Sequence, residues 1–553
     1  MDYPKLAELL FPDITTTAEE LEARYPKRGL PEGAKVTRMG PSPTGFIHLG
    51  NLYNALTDER LAHRSGGISF LRIEDTDDKR EVEGAVPMLI DVLDYFGIRF
   101  DEGATKDGEA GEYGPYWQSE RSGIYKTFVK KLVSEGKAYP CFMSEEEIAD
   151  IRAYQEANKL NPGIYGQYAK HRDLSYEEVE AKLAAGEEPV FRLRSTGDPS
   201  KYIHVTDAIR GDISMPENEQ DVVILKKTGL PTYHFAHVVD DHLMRTTHVV
   251  RGEEWIGSLP IHVELFQKLG WELPVYCHNT VLMKVDETTG TKRKLSKRKD
   301  PELGLGYYKE LGYFPEAVRE YLMTILNSDY EEWRMANPDA PMEDFPFEAA
   351  KMSSSGTMFD LSKLNDISKD VFAKKSAEEI YDFELAWANE FAPEKAALLS
   401  ADPGKTRKIF DIDRGGEKPR KDLIFAQQIF DFISYFFDET FQTEAEMPAE
   451  CSADDIREIF RRYKEGYSEA DDNAAWFEKI RAITADLGYA VKPKDYKKNP
   501  DAYKGHVGHV SNCIRIALTG RSNSPDLWTI QQIMGREQVF ARLDKAEAAL
   551  KAE

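Results

Sequence analysis

The sequence predicts a multidomain α/β protein in which an interrupted, doubly wound parallel sheet is followed by an all-helical half. Three observations predict it. Strand and helix patterns alternate with short turns near the start, a polar segment separates two groups of strands, and beyond Asp300 almost every periodic segment is helical. The chain of 553 residues is also longer than one hydrophobic core supports, so several domains are expected.

The first elements follow from apolar spacing. Residues 1–34 form a partly amphipathic lead-in, which we expect to be anchored by Ala7, Leu9, Leu10 and Leu21. Strands are then predicted over 36–39 and 68–73, and helices over 49–62 and 86–96. Strand, helix, strand, helix with short turns is the beginning of a doubly wound sheet.

From about residue 125 to 221 the sequence is polar and mostly helical in pattern, with Pro and Gly breaks near 161–163. We interpret this segment as an insertion between the two halves of the sheet. The second half is predicted as strands over 221–226, 233–239, 248–251 and 275–283, with an amphipathic helix over 256–269.

Composition excludes several classes of protein. No apolar run approaches the roughly 18 residues of a membrane span, and the first residues resemble neither a signal nor a transit peptide. We therefore expect a cytoplasmic protein without membrane partners. The four cysteines are scattered, with no C-x-x-C pair, so a disulfide framework is not expected.

A net charge of −25 argues against non-specific coating of nucleic acid. Local basic patches remain available, at residues 405–408, 461–464 and 492–498. Tyr463, between Arg462 and Lys464, is able to stack on an unpaired base. An ordinary amphipathic helix with Tyr463 in its core explains that patch equally well.

The segment 38–51, which reads R-M-G-P-S-P-T-G-F-I-H-L-G-N, predicts a stiff turn from a strand into a helix. Free N–H groups at a helix N-terminus attract anions. Gly50 lets a nucleotide approach the backbone, and His48 is able to donate to phosphate oxygens. A plain Pro/Gly turn is the alternative for this segment in isolation.

A second motif, Lys294-Leu295-Ser296-Lys297-Arg298, lies in a strongly basic loop after the strand at 275–283. Transfer at a phosphate depends on positioning and on positive charge where negative charge develops. Lys297 is our candidate for stabilising the transition state, with Lys294 assisting. Alone, such a loop is usually a solvated surface or an RNA contact.

Together the two motifs resemble the signatures of the class I aminoacyl-tRNA synthetases. The residues P-S-P-T-G within the first motif, followed by R-I-E-D-T-D at 72–77, narrow the resemblance to the glutamyl-tRNA synthetases of bacterial type. R-I-A-L-T-G at 515–520 and the segments at 524–527 and 534–537 resemble the end of that family. Asn51 departs from the pattern, because many class I enzymes carry a second histidine there.

The resemblance implies a Rossmann-type catalytic domain with an inserted α/β acceptor-binding domain, followed by an all-α anticodon-binding region. The corresponding boundaries are an N-terminal extension at 1–34, catalytic halves at 35–124 and 222–305, an acceptor-stem insertion at 125–221, a stem-contact helical domain at 306–370 and an anticodon-binding domain at 371–553. The implied reaction is ATP-dependent attachment of L-glutamate to tRNA(Glu) through a glutamyl-adenylate. Bound tRNA is implied to be needed even for the first step, and a monomer is expected.

Charge also constrains the amino-acid site. Glutamate has two carboxylates and one ammonium, so it needs two cations and one anion; Arg38, Arg251 and Glu74 at strand ends supply them. The resemblance assigns glutamate contacts to Arg38, Gly40, Ser42, Glu74, Tyr233, His237 and Arg251. It assigns ATP contacts, with Mg²⁺, to His48, Gly50, Asn51, Glu254, Lys294, Ser296 and Lys297.

Metal sites are not expected. His234 and His237 fall in the predicted strand 233–239, where residues three apart face opposite sides and do not converge. Some relatives bind zinc in the inserted domain through clustered cysteines, but Cys141 has no cysteine nearby.

Three other interpretations remain. Glutaminyl-tRNA synthetases share the fold, but that family typically reads P-E-P-N-G where this chain reads P-S-P-T-G. An inactive, synthetase-like tRNA-binding protein is disfavoured because His48, Glu74, Lys294 and Lys297 are all present. A small-molecule ligase or nucleotidylyltransferase leaves the large helical half unexplained.

Overall fold

A computed structural model describes residues 1–43, 45, 47–77, 82–286, 288–414 and 419–550. Thr44 and Phe46, two positions of the first motif, lie outside the described residues. The chain divides into two compact units, Met1–Tyr307 with Val318–Leu361, and Tyr308–Ala317 with Ser362–Glu553. Within the described chain, no helix is both long and apolar enough to cross a bilayer.

The first elements are the four strands of one sheet and the helices that precede, separate and follow them. In chain order they are α1 (Tyr3–Leu10), α2 (Ala18–Arg24), β1 (Val36–Met39), α3 (Leu49–Arg64), β2 (Ile68–Leu71), α4 (Ala85–Tyr95), β3 (Glu102–Thr105), β4 (Gly108–Ala110) and α5 (Ser122–Ser134). β1 pairs in parallel with β2, and β2 with β3, while β3 and β4 form a hairpin.

The next elements contain the interruption and the second part of the sheet. They are β5 (Ala138–Cys141), α6 (Glu145–Ala157), α7 (Tyr176–Ala184), β6 (Val190–Leu193), β7 (Tyr202–Asp207), β8 (Gly211–Pro216), β9 (Val223–Leu225), α8 (Tyr233–Leu243), β10 (His248–Gly252), α9 (Leu259–Leu269) and β11 (Val275–Asn279). β10 and β11 are parallel, and β11 also pairs with β7.

Thr247, just before β10, joins the two parts of the sheet. Its N–H donates to the Val36 carbonyl of β1 (2.9 Å), and its hydroxyl accepts from the Val36 N–H (2.8 Å). Further along the two strands, Arg38 Nη1 donates to the Val250 carbonyl (3.2 Å), so the carboxyl ends of β1 and β10 lie next to each other. Open α/β sheets place ligands at such ends.

The remaining elements are small strands and then helices. They are β12 (Leu282–Val285), β13 (Lys292–Lys294), α10 (Leu305–Leu311), α11 (Pro315–Leu326), α12 (Tyr330–Ala336), β14 (Thr357–Met358), α13 (Leu361–Lys374), α14 (Ala377–Phe391), α15 (Pro393–Ala401), α16 (Pro403–Phe410), α17 (Ala426–Ile433), α18 (Ala453–Gly466), α19 (Asn473–Asp486), α20 (Pro493–Lys498), α21 (Val507–Thr519) and α22 (Leu527–Ala548). The second unit, described by itself, is helical around one core.

The predicted strand over 233–239 is wrong, because these residues form the first turns of helix α8. Pro231 and Thr232 precede the helix, and Phe235, Val238 and Val239 are buried around it. His234, His237 and Asp241 recur at helical spacing along α8, but the shorter window 233–239, rich in aromatic and β-branched residues, is equally typical of a buried strand.

Three smaller predictions need correction. The strand over 275–283 is two strands, β11 and β12, and α9 begins only at Leu259, after a 3₁₀ turn. In the lead-in, Leu6 and Phe11 are buried with Ala7 and Leu21, whereas Leu9 and Leu10 are half-buried. β14 is a two-residue strand in the region predicted to be helical.

Candidate active site

A cavity of about 500 Å³ opens where β1, β2 and β10 end and where α3 and α8 begin. Its lining contains nine of the predicted residues: Arg38, Gly40, Ser42, His48, Asn51, Glu74, Tyr233, Arg251 and Glu254. Five other predicted residues, Gly50, His237, Lys294, Ser296 and Lys297, are described but do not line it. The cavity therefore contains the predicted acid Glu74 and both predicted arginines.

The first motif ends at the N-terminus of α3. The His48 N–H donates to Asn51 Oδ1 (2.9 Å), so Asn51 caps its own helix and leaves its amide N–H₂ for another partner. A Cβ at position 50 would come within 2.9 Å of His48 Nδ1, which explains glycine there. Burial, followed by the charge of Lys294, lowers the pKa of His48, so its ring is neutral at pH 7.

The second motif begins in the hairpin of β12 and β13 and is closed by a buried carboxylate. Asp300 accepts from Arg293 Nη1 (2.6 Å) and Nη2 (2.8 Å), and also from the Ser296 N–H (2.8 Å). The paired Arg293 lowers the pKa of Asp300 to about 2. This clamp fixes the loop that presents Lys294 and Lys297 at the surface.

The two motifs are joined just beyond that loop. Gly304 forms a β-bridge with His48, and the Leu305 N–H donates to the Ile47 carbonyl (3.2 Å). The effect of Lys294 on the pKa of His48 is a second sign that their side chains lie near each other. The fold thus brings together motifs that are some 250 residues apart in the sequence.

A buried network of charges lies beneath the cavity, centred on Asp241. Its Oδ1 accepts from Arg38 Nε (3.0 Å) and Arg72 Nη1 (2.7 Å), and Oδ2 lies 2.5 Å from His237 Nδ1. Burial alone would raise the pKa of Asp241, but Arg38 and Arg72 lower it well below its usual value. This carboxylate therefore stays ionised and fixes both arginines.

Glu74 receives a hydrogen bond from Arg72 Nη2 (3.0 Å). Burial raises the pKa of Glu74, an effect that Arg72 and Arg38 only partly offset. A Cβ at Gly40 would collide with the Glu74 carboxyl, so glycine is required where the two segments cross. A cationic group entering the cavity would stabilise the ionised form of Glu74.

Arg251 is held differently from Arg38. Its Nε donates to His278 Nε2 (3.0 Å), and its Nη1 donates to His262 Nδ1 (3.2 Å) and to the Tyr233 hydroxyl (3.4 Å). Arg251 is only 5% exposed and lines the cavity.

Helix α8 changes the interpretation of its histidines. In a helix, His234 and His237 are three residues apart and share a face, so the strand argument against a metal there does not hold. His234 Nδ1 lies 3.0 Å from His262 Nε2. Among the described residues, no three His, Cys, Asp or Glu side chains are grouped so as to hold a metal ion. Burial lowers the pKa of His237 to about 3, so this side chain is neutral.

Several lining residues were missed from the sequence. Asn54 and Asp58 follow Asn51 by three and seven positions on α3, so helical periodicity could have found them. Trp255, whose ring lies 4.1 Å from that of Tyr233, also lines the cavity. Lys226 has no local sequence signal, because its link to this site is a tertiary hydrogen bond to the Thr76 carbonyl (2.8 Å).

In the second unit, the basic patch around Tyr463 is an ordinary helix surface. Tyr463 is 4% exposed, donates to Gln531 Oε1 (2.7 Å) and accepts from Trp476 Nε1 (3.0 Å). Arg461 and Arg462 are both paired with Glu458. The interpretation with Tyr463 in the core is therefore correct, and its ring is not available for stacking on a base.

Comparison with known proteins identifies the family. The model described as "tRNA synthetases class I (E and Q), catalytic domain" matches residues 35–366, and "Anticodon binding domain" matches residues 500–547. The glutamate–tRNA ligase of Acetivibrio thermocellus is 59% identical over 546 residues, which are 99% of this chain and 100% of that protein. The glutamate–tRNA ligase of Clostridium perfringens SM101 is 50% identical, with 99% of each protein covered.

Comparison with solved structures points to the same family as comparison with these sequences. The crystal structure of a glutamate tRNA ligase from Elizabethkingia meningosepticum in complex with its amino acid has a TM-score of 0.76 at 27% identity, and covers 94% of this chain and 100% of that chain. The crystal structure of the glutamate–tRNA synthetase of Elizabethkingia anophelis has a TM-score of 0.75 and covers 93% of this chain and 100% of that chain. The predicted fold class is therefore confirmed, and the chain belongs to the glutamate–tRNA ligases, within the class I tRNA synthetases.

Proposed function

We propose that this protein attaches L-glutamate to tRNA(Glu) at the expense of ATP, in two steps through a glutamyl-adenylate. The observation that carries the proposal is the cavity in which Arg38, Arg251 and Glu74 meet the N-terminus of α3. Two cations and one anion match the charges of glutamate, and the helix terminus suits a phosphate. Full-length similarity to proteins named glutamate–tRNA ligase supports the same reaction.

In the amino-acid site, we assign the carboxylates to Arg38 and Arg251 and the ammonium to Glu74. The α-carboxylate and the ammonium share one carbon atom, so the arginine nearest Glu74 suits the α-carboxylate. Arg38 influences the pKa of Glu74, which favours Arg38 for that group and Arg251 for the side-chain carboxylate. Gly40, Ser42, Tyr233 and His237 complete the proposed site, His237 indirectly through Asp241.

ATP, with its Mg²⁺, is proposed to bind against the start of α3, at His48, Gly50, Asn51 and Glu254. The neutral His48 ring donates a hydrogen bond to phosphate without adding charge. Lys294, Ser296 and Lys297 then approach the β- and γ-phosphates from the surface loop that Asp300 clamps. This arrangement supplies positive charge where pyrophosphate departs.

The two steps need no covalent enzyme intermediate. An α-carboxylate oxygen attacks the α-phosphorus, the bond to the bridging oxygen breaks, and pyrophosphate leaves. A terminal ribose hydroxyl of the tRNA then attacks the acyl carbon, and AMP leaves as the hydroxyl proton is lost. Orientation and electrostatic stabilisation are the expected sources of rate.

The six-segment organisation is retained as part of the proposal, with the insertion at 125–221 on the acceptor stem and residues 371–553 on the anticodon. We also propose a monomer that works in the cytoplasm. Similarity of residues 500–547 to an anticodon-binding domain supports the role of the C-terminal segment.

Charging of total bacterial tRNA with labelled glutamate and, separately, labelled glutamine tests the function. Glutamate alone should be attached, and ATP–pyrophosphate exchange should require tRNA. Attachment of glutamine would reassign the amino-acid site, and no attachment of either would favour an inactive tRNA-binding protein. Lys297→Ala, assayed in parallel, controls for a contaminating synthetase.

A further inference from the structure

Arg251 is a buried cation without a buried anion beside it. Its hydrogen-bond partners are two imidazole nitrogens and one phenol oxygen, and its guanidinium lies over the Tyr276 ring, 4.6 Å from the centroid. Among the described residues, no carboxylate lies within ion-pair distance of it. The Nη2 atom of Arg251 is buried and has no hydrogen-bond partner among the residues that the structure describes. By contrast, Arg38 is paired with Asp241, and Arg121 with Asp240.

The hydrogen bonds determine which ring nitrogens carry protons. A guanidinium only donates, so His278 Nε2 and His262 Nδ1 must both be unprotonated acceptors. The Nδ1–H of His278 then donates to Asp207 Oδ2 (2.7 Å), and the Nε2–H of His262 to His234 Nδ1 (3.0 Å). Both rings are fully buried, and burial, with Arg251 nearby, lowers their pKa values. Two neutral rings therefore fix the guanidinium without cancelling its charge.

An acid at either histidine position would also accept from Arg251, but it would neutralise the cation. A buried cation that lacks a counter-charge is costly, and that cost is recovered when an anionic ligand arrives. A neutral carboxamide recovers much less of it. The choice of imidazole at these two positions thus bears on which amino acid the cavity prefers.

We propose that His262 and His278 are positioning residues that hold Arg251 as an oriented cation with no carboxylate in direct contact, and that they thereby set the preference for glutamate over glutamine. The inference rests on the proposed function, in which Arg251 holds the side-chain carboxylate. Neither His262 nor His278 lines the cavity, so we assign their effect on the ligand to the arginine that both of them contact.

Matched substitutions separate charge from shape. His262 accepts through Nδ1, which asparagine imitates, so His262→Asn is compared with His262→Asp. His278 accepts through Nε2, which glutamine imitates, so His278→Gln is compared with His278→Glu. Each pair has nearly the same shape and differs by one charge.

The assay is tRNA-dependent ATP–pyrophosphate exchange with full-length enzyme, giving KM for glutamate, glutamine and ATP. The neutral variants should keep the glutamate KM within about threefold, whereas the acidic ones should raise it by about 30-fold, since a charge-assisted contact is lost. The ratio of kcat/KM for glutamate to that for glutamine should fall by about tenfold or more in the acidic variants. The KM for ATP should change by less than about twofold, a split that general structural damage does not produce.

Equal effects of the neutral and acidic members of a pair would overturn the inference, as would an equal rise in the KM for ATP. Thermal unfolding of each variant identifies any that fail to fold. If both acidic variants unfold, the two neutral variants, His262→Asn and His278→Gln, still test the proposal. A folded His262→Asn enzyme that no longer prefers glutamate contradicts the proposal, and one that retains the preference supports it. Failure of the unchanged enzyme to activate glutamate would overturn the proposed function and this inference together. If the unchanged enzyme activates glutamate normally, the glutamate-to-glutamine ratios of the variants test this inference and not the proposed function.

Discussion

Replacing Glu384 by methionine should stabilise the second unit, because this carboxyl group is buried without a partner. Glu384 lies on α14 and is 0% exposed, and neither oxygen has a hydrogen-bond partner among the described residues. Burial raises its pKa well above the usual value, an effect that Lys395 only partly offsets. Methionine has a similar volume and no polar oxygen, so it fills the same space.

The magnitude follows from two contributions. Burying unsatisfied polar atoms costs about 1–3 kcal/mol. Because the folded state binds the proton more tightly than the unfolded state, stability also falls by up to about 1.4 kcal/mol per pH unit, from pH 4.5 upward until the folded-state pKa is reached. Because the first contribution alone is about 1–3 kcal/mol, we expect Glu384→Met to gain at least about 2 kcal/mol at pH 7. For a unit of this size, that gain raises Tm by at least about 4–8 °C.

Thermal unfolding at pH 5 and at pH 7.5 tests both contributions. The gain from Glu384→Met should be larger at pH 7.5, and Glu384→Gln, which cannot ionise, should recover only the pH-dependent part. Asp382→Asn, at an exposed acid on the same helix, is the matched control and should leave Tm nearly unchanged. A Glu384→Met protein that is no more stable than the unchanged one, or whose gain is the same at both pH values, would contradict the assigned cost of burying this carboxyl group.

Four further predictions concern Lys297, Arg38, Asp241 and His63. Lys297→Ala should slow tRNA-dependent ATP–pyrophosphate exchange by about 10²–10³-fold with tRNA affinity nearly unchanged in filter binding; near-normal exchange would remove its assigned role. Arg38→Lys keeps a cation near Asp241 but loses the planar guanidinium that binds a carboxylate through two N–H groups. It should raise the KM for glutamate by about tenfold and the KM for ATP hardly at all, and equal rises would exclude Arg38 from the amino-acid site. Asp241→Asn should destabilise the protein by about 3–5 kcal/mol in urea unfolding, since it leaves two buried arginines without their shared counter-charge; a loss below about 1 kcal/mol would contradict this account. His63 donates a hydrogen bond from Nε2–H to Asp101 Oδ2, which raises the pKa of His63 to about 9. Its NMR titration should therefore have a midpoint near 9 that falls on Asp101→Asn; the stability this pair contributes is fully present below pH 6.5 and is lost as the pH rises through about 9.

Local sequence determined the elements in which short-range physics is strong. β1 begins and ends where predicted, and α3 differs by two residues at one end, because a Pro/Gly turn and a regular apolar period mark them. The two basic and glycine-rich motifs were also visible, since their chemistry depends on adjacent residues. The strand predicted at 233–239 is wrong because seven residues rich in aromatic and β-branched side chains fit a buried strand as well as a helix. The polar period of α8 is evident only when Asp240 and Asp241 are included.

The charge arrangement of the site is a property of the tertiary structure alone. The order of residues is enough to predict arginines at the ends of β1 and β10, and to recognise motifs that a family of nucleotide-dependent ligases shares. Only the fold decided that Arg38 has Asp241 as its counter-charge while Arg251 has two neutral imidazoles. These partners lie up to about two hundred residues apart, and a buried charge is governed by whatever surrounds it in space.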